Sequence, residues 1–167
     1  MKLMLIISVL LSNVMMTGCT KGGSDGATIS SADPKSNLNK TLMLQLVNEV
    51  RASGCNCGST AMPPVNAVQW NDQLAAAASA HSTDMNTNDY FSHTGLNNSS
   101  PGDRITAAGY TWKTYGENIA QGAPDERQVI EGWLQSEPHC RNIMNGNFRE
   151  MGVAKSGSYW TQVFGAR

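Results

Sequence analysis

The stretch Glu150–Gly165, "EMGVAKSGSYWTQVFG", carries the clearest structural signal in the chain. Two runs rich in apolar and β-branched residues flank Ser156 and Gly157, and the second run alternates aromatic with polar residues. A period of two residues around a short turn that contains glycine predicts an antiparallel β-hairpin. The end of the chain therefore predicts two paired strands.

Four helices are predicted before this hairpin. In the first, Asn39–Ser53, Leu42, Leu46 and Val50 recur every fourth residue, which predicts a core-facing stripe, and Gly54 ends the helix. The other three are bounded by capping residues, glycine or proline, and they are Asn71–Asp89, Ser100–Gly109 and Pro124–Ser136.

The remaining segments are predicted to be extended or turn-rich. "YGENIAQG", Tyr115–Gly122, reads as a short strand or extended loop, and "HCRNIMNGNF", His139–Phe148, as turns. Helices that precede a C-terminal hairpin indicate an α+β fold in which helices cover a small sheet.

Composition argues against a nucleic-acid partner. The chain has 167 residues, with 12 Lys and Arg against 13 Asp and Glu, and no basic run. Such a balance gives no electrostatic footprint for nucleic acid or an anionic membrane surface. Scattered glycines with no strand-to-helix pattern also exclude a phosphate-binding loop.

The N-terminal segment predicts export. Residues 1–18 combine Lys2, an apolar run and small residues, as secretion signals do, and the run is too short for a spanning helix. "MTGC" resembles a bacterial lipobox, which predicts a lipidated Cys19; a plain secreted, soluble protein is the alternative. Residues 19–37 then form a Gly/Ser-rich tether, and residues 38–167 form the domain.

Three further cysteines predict a disulfide in an oxidising compartment. Cys55 and Cys57 are too close in sequence for an easy mutual bridge, so one of them is expected to pair with Cys140. A zinc site of Cys55, Cys57, His139 and Cys140 is the rival interpretation, although these spacings are unlike common structural zinc motifs.

The histidines are the candidates for chemistry. His81 shares a helical stripe with Leu74 and Met85, so it is predicted to be a core histidine satisfied by a hydrogen bond. His93 in "YFSHTG" and Glu117 in "YGENIA" form the main candidate pair, because a carboxylate can fix the tautomer of an imidazole. From spacing alone, the favoured interpretation of this pair is a structural brace between the loop after the second helix and the strand.

The order of short motifs resembles the CAP superfamily of cysteine-rich secretory, antigen-five and pathogenesis-related proteins. These motifs are "AHSTDM", "YFSHTG", "AAGY", "YGENIA", "GWLQSEPHCRNIM", "EMGVA" and "YWTQVFG", and together they span most of residues 38–167. Its bacterial secreted branch is the closest match. The resemblance implies a three-layer α-β-α sandwich with a central cleft, which agrees with the pattern of helices and hairpin.

The resemblance also implies a set of cleft residues. Eukaryotic members carry two histidines and two glutamates that can bind a divalent metal. His93 and Glu117 fall on one residue of each kind, whereas Ser136 and Tyr159 stand where the second glutamate and the second histidine belong. His139 could supply an imidazole from another direction, which gives His93, His139 and Glu117 as a candidate metal set. The "CG" sequence after Asn56 matches the family and implies Cys57 as the partner of Cys140.

Three functions are compatible with these features. The first is a non-enzymatic binding module of the bacterial cell envelope, anchored to the membrane through lipid only, with an unknown lipid, cell-wall or protein ligand in the cleft. The second is a metal-dependent hydrolase or peptidase with Zn²⁺ or another divalent cation. The third is a purely structural envelope domain. No cofactor is assigned with certainty, no nucleic acid is expected, and a monomer is expected.

Overall fold

A computed structural model of the chain describes residues 38–167. The signal segment, Cys19 and the tether predicted from the sequence lie outside the described residues. Within residues 38–167, no helix is long and apolar enough to cross a membrane.

The described residues form helices and strands in mixed order. They are α1 (Lys40–Ser53), β1 (Cys55–Cys57), β2 (Thr60–Met62), β3 (Gln69–Trp70), α2 (Asp72–Asn88), α3 (Pro101–Ala107), β4 (Thr114–Gln121), α4 (Glu126–Gln135), α5 (Glu137–Ile143), β5 (Glu150–Ser156) and β6 (Tyr159–Ala166).

The predicted hairpin forms the centre of the main sheet. The strand order of this sheet is β3-β5-β6-β4, and β6 pairs antiparallel with both β5 and β4. Ser156 pairs with Tyr159, so the turn lies at Gly157 and Ser158, one residue later than predicted. The sheet also includes β3, a two-residue strand parallel to β5 that is too short to show a period in the sequence.

Helices cover both faces of this sheet. Strand alternation sends Met151, Val153 and Trp160 into a core with α1, α4 and α5. Ala154 and Val163 point the other way, into a second core with α2 and α3. The predicted α+β class and three-layer α-β-α arrangement are confirmed.

Side-chain caps begin α1, α2 and α3, and those at Asn71 and Ser100 were predicted from the sequence. Asn39 accepts from the backbone N–H of Leu42 at the start of α1, and Asn71 caps α2. Ser100 and Asp103 form a capping box at α3, where Pro101 occupies the first turn.

The buried stripe of α1 differs from the predicted one by a single position. Met43, Val47 and Arg51 are buried, whereas Leu42, Leu46 and Val50 are half-buried. The hydrophobic count missed this face because it contains an arginine. Arg51 is fully buried, and it donates to the backbone oxygens of Asn66, Ile143 and Asn145. Burial lowers the pKa of Arg51 to about 10.

The segment predicted as turns contains a helix. Glu137–Ile143 forms α5, with Pro138 in its first turn, where a missing backbone N–H has no cost. Ser136 is therefore both the last cap of α4 and the first cap of α5. The proline ends α4, as the sequence predicts, but it also begins the next helix.

The disulfide joins Cys57 to Cys140, over a sequence separation of 83 residues. It ties the β1–β2 hairpin to α5, and the disulfide prediction is confirmed in the implied pairing. In this bonded state neither sulfur is a thiolate, so the rival zinc set of Cys55, Cys57, His139 and Cys140 lacks two of its ligands.

The close contact between α2 and β5 depends on Gly152. A Cβ placed on Gly152 would lie 2.0 Å from the backbone nitrogen of Ala75 and 2.4 Å from the carbonyl carbon of Leu74. Only glycine leaves room for the helix backbone at this distance, and small residues on α2 permit the approach from the other side.

We expect Gly152→Ala to destabilise the fold strongly, by roughly 3 kcal/mol or more, because backbone atoms must move to admit the methyl group. Gly132→Ala is the matched control, since a Cβ at Gly132 in α4 meets nothing within 4 Å. This control should instead stabilise by up to about 1 kcal/mol through helix propensity. Urea unfolding of both variants measures the difference, and similar values would contradict the packing argument.

Candidate functional site

The candidate site is centred on Glu117 in β4. Its side chain is only 3% exposed and faces the α2–α3 layer, opposite Val163 in the strand pairing. One carboxylate oxygen, Oε1, lies 2.8 Å from Nδ1 of His93, and Oε2 lies 2.8 Å from the Arg104 guanidinium. The structure therefore joins the predicted His93–Glu117 pair and adds a cation to it.

His93 lies in the loop after α2 and presents its ring to solvent. The side chain is 50% exposed, and the Arg104 guanidinium also donates to its backbone oxygen at 2.9 Å. When Nδ1 donates its proton to the Glu117 carboxylate, Nε2 becomes the acceptor that faces outward. The Glu117–Arg104 pair thus holds both the backbone and the ring of His93.

His81 lies beneath this group. It is fully buried in α2, its Nε2 lies 2.8 Å from the backbone oxygen of Ser92, and the same atom is 3.9 Å from Oε1 of Glu117. Its Nδ1 has no hydrogen-bond partner among the described residues. Burial lowers the pKa of His81 from 6.5, outweighing the opposing attraction of Glu117. His81 is thus a core histidine that also contacts the site.

His139 approaches from α5, on the other side of β4. It is half-buried, and its backbone oxygen accepts from the amide of Asn118 at 3.2 Å. Burial lowers the pKa of His139 from 6.5, and a positive charge on His93 lowers it further. Asn142, one turn further along α5, donates to the backbone oxygen of Glu117 at 3.1 Å.

The structure does not join the other two predicted residues to this group. Tyr159 pairs with Gln121, four residues along β4 from Glu117, and its hydroxyl donates to Asp89 at 3.0 Å. Ser136 is half-buried between two helices, and within residues 38–167 its hydroxyl makes no hydrogen bond to the group. The side chains present are therefore His93, Glu117, Arg104 and His81, with His139 nearby.

Arg104 is the residue that sequence reasoning missed. It stands 13 residues from Glu117, in a short helix whose only visible features were its caps. A single arginine in such a helix is usually a solvated charge. The usable signal was indirect: a buried strand glutamate needs a partner, and "GDRITAA" contains the nearest basic side chain that precedes Glu117 apart from Lys113.

The donor set fits a divalent metal poorly. Both Glu117 oxygens face hydrogen-bond donors, and one of these donors is a permanent cation. Without Glu117, the candidate metal set offers only the imidazoles of His93 and His139. Catalytic zinc typically has three protein ligands. The set of His93, His139 and Glu117 proposed from the sequence does not reproduce the metal-binding tetrad of the eukaryotic proteins.

We expect Arg104→Met to lower the free energy of unfolding by about 3–5 kcal/mol, because it leaves a buried carboxylate with half of its partners. Lys40→Met is the matched control: Lys40 pairs with Asp72 at the same 2.8 Å, but both side chains are exposed. Its loss should cost below about 1 kcal/mol. Chemical denaturation at neutral pH measures the loss of unfolding free energy in each variant. Equal losses in Arg104→Met and Lys40→Met would contradict a buried role for Arg104.

Stability should fall as pH drops below about 6.5. The lowered pKa of His81 means that the unfolded chain takes up a proton first, so acid favours unfolding. The pKa of His139 is also lowered in the folded protein, so its protonation in acid favours unfolding as well. We expect His81→Gln, whose amide can still donate to the Ser92 oxygen, to flatten the dependence below about pH 6.5. Unfolding free energies across this range measure it, and an unchanged slope would contradict this assignment.

Comparisons with known proteins agree on one family. A model of the CAP, cysteine-rich secretory protein family, matches residues 44–164. The uncharacterized protein YkwD of Bacillus subtilis is 41% identical over 99 residues, which are 58% of this chain and 38% of YkwD. The uncharacterized membrane protein YlbC of the same organism is 36% identical over 97 residues, or 58% of this chain and 28% of YlbC. The chain thus corresponds to less than half of either relative.

Solved structures show the same fold. An extracellular SCP-domain protein from Bacillus anthracis superposes with a TM-score of 0.72 at 30% identity, covering 86% of this chain and 45% of that one. An outer surface protein of Borrelia burgdorferi gives a TM-score of 0.64 at 20% identity, covering 76% of this chain and 91% of that one. By its family match and its architecture, the chain belongs to the CAP, cysteine-rich secretory protein family.

Proposed function

We propose that the protein is an exported, lipid-anchored CAP domain that binds a ligand at His93 without catalysing a reaction. One observation carries this proposal: an outward imidazole is held in place by a buried Glu117–Arg104 ion pair. Ordering a histidine at the surface in this way reduces the conformational entropy that a ligand would otherwise have to overcome.

The surface around His93 supports recognition of an amphipathic ligand. Phe91 is 50% exposed and Leu96 is 63% exposed, and both lie within three residues of the histidine. A ligand with a hydroxyl or amide donor beside an apolar face can satisfy Nε2 and cover these side chains. A cell-wall fragment, a lipid or a protein segment has such chemistry.

The same geometry argues against general-base catalysis by Glu117. Both of its oxygens already accept hydrogen bonds, one from His93 and one from Arg104, so neither is directed at a bound substrate. No nucleophile is hydrogen-bonded to His93 among the described residues, where its ring contacts Glu117. A metal-dependent hydrolase is the less favoured candidate, because the ligand atoms of His93, Glu117 and His139 do not form a close group of three among residues 38–167.

A panel titration followed by NMR tests the binding proposal. Purified muropeptides, lipid micelles and Zn²⁺ are each added to labelled protein, and histidine ring signals are recorded. We expect muropeptides or micelles to shift His93, and His93→Gln to weaken that binding at least tenfold, while the exposed Arg127→Gln on α4 leaves it unchanged.

The other outcomes separate the alternatives. Zinc binding that is lost in both His93→Gln and His139→Gln would favour the hydrolase. Response to no member of the panel, with destabilisation as the only effect of His93→Gln, would favour a purely structural domain. Ligand shifts that survive His93→Gln would reject His93 as the contact.

We also propose export and lipidation at Cys19, supported by the signal-like residues 1–18 and by relatives described as extracellular or outer-surface proteins. Cys19→Ser should move the protein from the membrane fraction of an expressing bacterium to unlipidated precursor or soluble material, since the diacyl anchor is lost. Fractionation with mass spectrometry of the N-terminus measures this. A protein that remains soluble with Cys19 intact would indicate plain secretion.

A further inference from the structure

A free thiol lies against the disulfide at the end of the molecule formed by β1 and α5. Cys55 is the free cysteine of residues 38–167, and its Sγ is 3.7 Å from Sγ of Cys140. The sulfur atoms of Cys55, Cys57 and Cys140 all lie within 4.8 Å of one another. The Cys55–Cys140 distance is close to van der Waals contact between sulfur atoms.

Strand geometry explains the arrangement. Cys55 and Cys57 are two residues apart in β1, so their side chains share one face, while Asn56 between them is exposed. That face meets α5, where Cys140 is fully buried. Either cysteine of the "CNC" sequence can therefore present its sulfur to the same partner.

We propose that these three residues form a thiol–disulfide exchange site. The Cys55 thiolate attacks Sγ of Cys140, a Cys55–Cys140 bond forms, and the Cys57–Cys140 bond breaks with its electron pair leaving on Cys57. The proton lost from Cys55 is balanced by the proton that Cys57 takes up. No oxidant or reductant is consumed, because one disulfide and one thiol are present before and after the step.

The two bridged forms are close in chain entropy. The present bridge spans 83 residues and the alternative spans 85, so the loop-closure contribution is nearly the same. Local packing decides between the forms: Cys57 is fully buried and Cys55 is half-buried. The three sulfurs form a compact triangle, so Cys55 must rotate about its Cα–Cβ bond to reach the in-line direction of attack. Its partial exposure leaves room for this rotation.

The exchange gives the two cysteines different chemistry. In the Cys57–Cys140 form the free thiol is half-exposed and open to an external disulfide or alkylating agent. In the Cys55–Cys140 form the free thiol belongs to the more buried position. The site therefore changes the accessible thiol of the domain without any net oxidation.

Alkylation of the full chain tests the exchange, with Cys19→Ser as background so that three cysteines remain. The oxidised protein is incubated with iodoacetamide at pH 8.5 or pH 5, quenched in acid and digested with pepsin, and fragment spectra distinguish labelled Cys55 from labelled Cys57. We expect mostly Cys55 label at both pH values, and a Cys57-labelled fraction that is several-fold larger at pH 8.5, because the thiolate is the attacking species.

Two variants complete the test. Cys57→Ala should form the Cys55–Cys140 bridge and leave no alkylatable thiol, and Cys55→Ala should retain Cys57–Cys140 and never take label at position 57. A Cys57→Ala protein with two free thiols would overturn the proposal. If that variant fails to fold, the wild-type labelling decides alone, and absence of Cys57 label at both pH values would overturn it.

Discussion

The buried carboxylate of Glu117 is the constraint on which the site depends. A charge with only 3% of its side chain exposed needs compensation, and it obtains this from a cation in α3 and an imidazole in the loop after α2. Those two contacts fix Arg104 and His93 relative to β4. Because Arg104 also holds the backbone oxygen of His93, the loop has little freedom at this residue. The exposed imidazole of His93 is thereby positioned by the buried carboxylate of Glu117.

Asn118, the next residue of β4, connects the strand to the helical layer on the opposite face of the sheet. Alternation turns Asn118 away from Glu117, and its amide donates to Gln162 and to the backbone oxygen of His139. Asn142 closes the connection by donating to the Asn118 side chain and to the Glu117 backbone. Two consecutive strand residues thus connect β4 to both helical layers, and the backbone of His139 is bound to the strand residue that faces away from the Glu117 side chain.

The parts of the fold that could be predicted are those governed by periodicity and capping. The hairpin of Glu150–Gly165 and the caps at Asn71 and Ser100 depend on neighbours in sequence. Features that depend on distant partners were missed. Arg51 is buried because four backbone oxygens distant in sequence accept hydrogen bonds from its guanidinium, and Arg104 is positioned by a glutamate on another element. No local pattern distinguishes such arginines from solvated ones, and the same holds for the two-residue strand β3.

The connection between Cys57 and Cys140 has a consequence for the order in which the domain is assembled. Both cysteines precede the strands β5 and β6, which nevertheless occupy the middle of the sheet. In the export proposed above, a chain that crosses the membrane from its N-terminus presents the two thiols before Glu150–Arg167 emerge. Covalent closure can therefore precede completion of the core, and in that order the hairpin enters a loop that is already closed by the disulfide. Early bridging would limit the conformations that the chain samples before β5 and β6 pair. It would also trap any wrong pairing among the three cysteines. A neighbouring thiol offers a direct way to correct such a pairing by exchange.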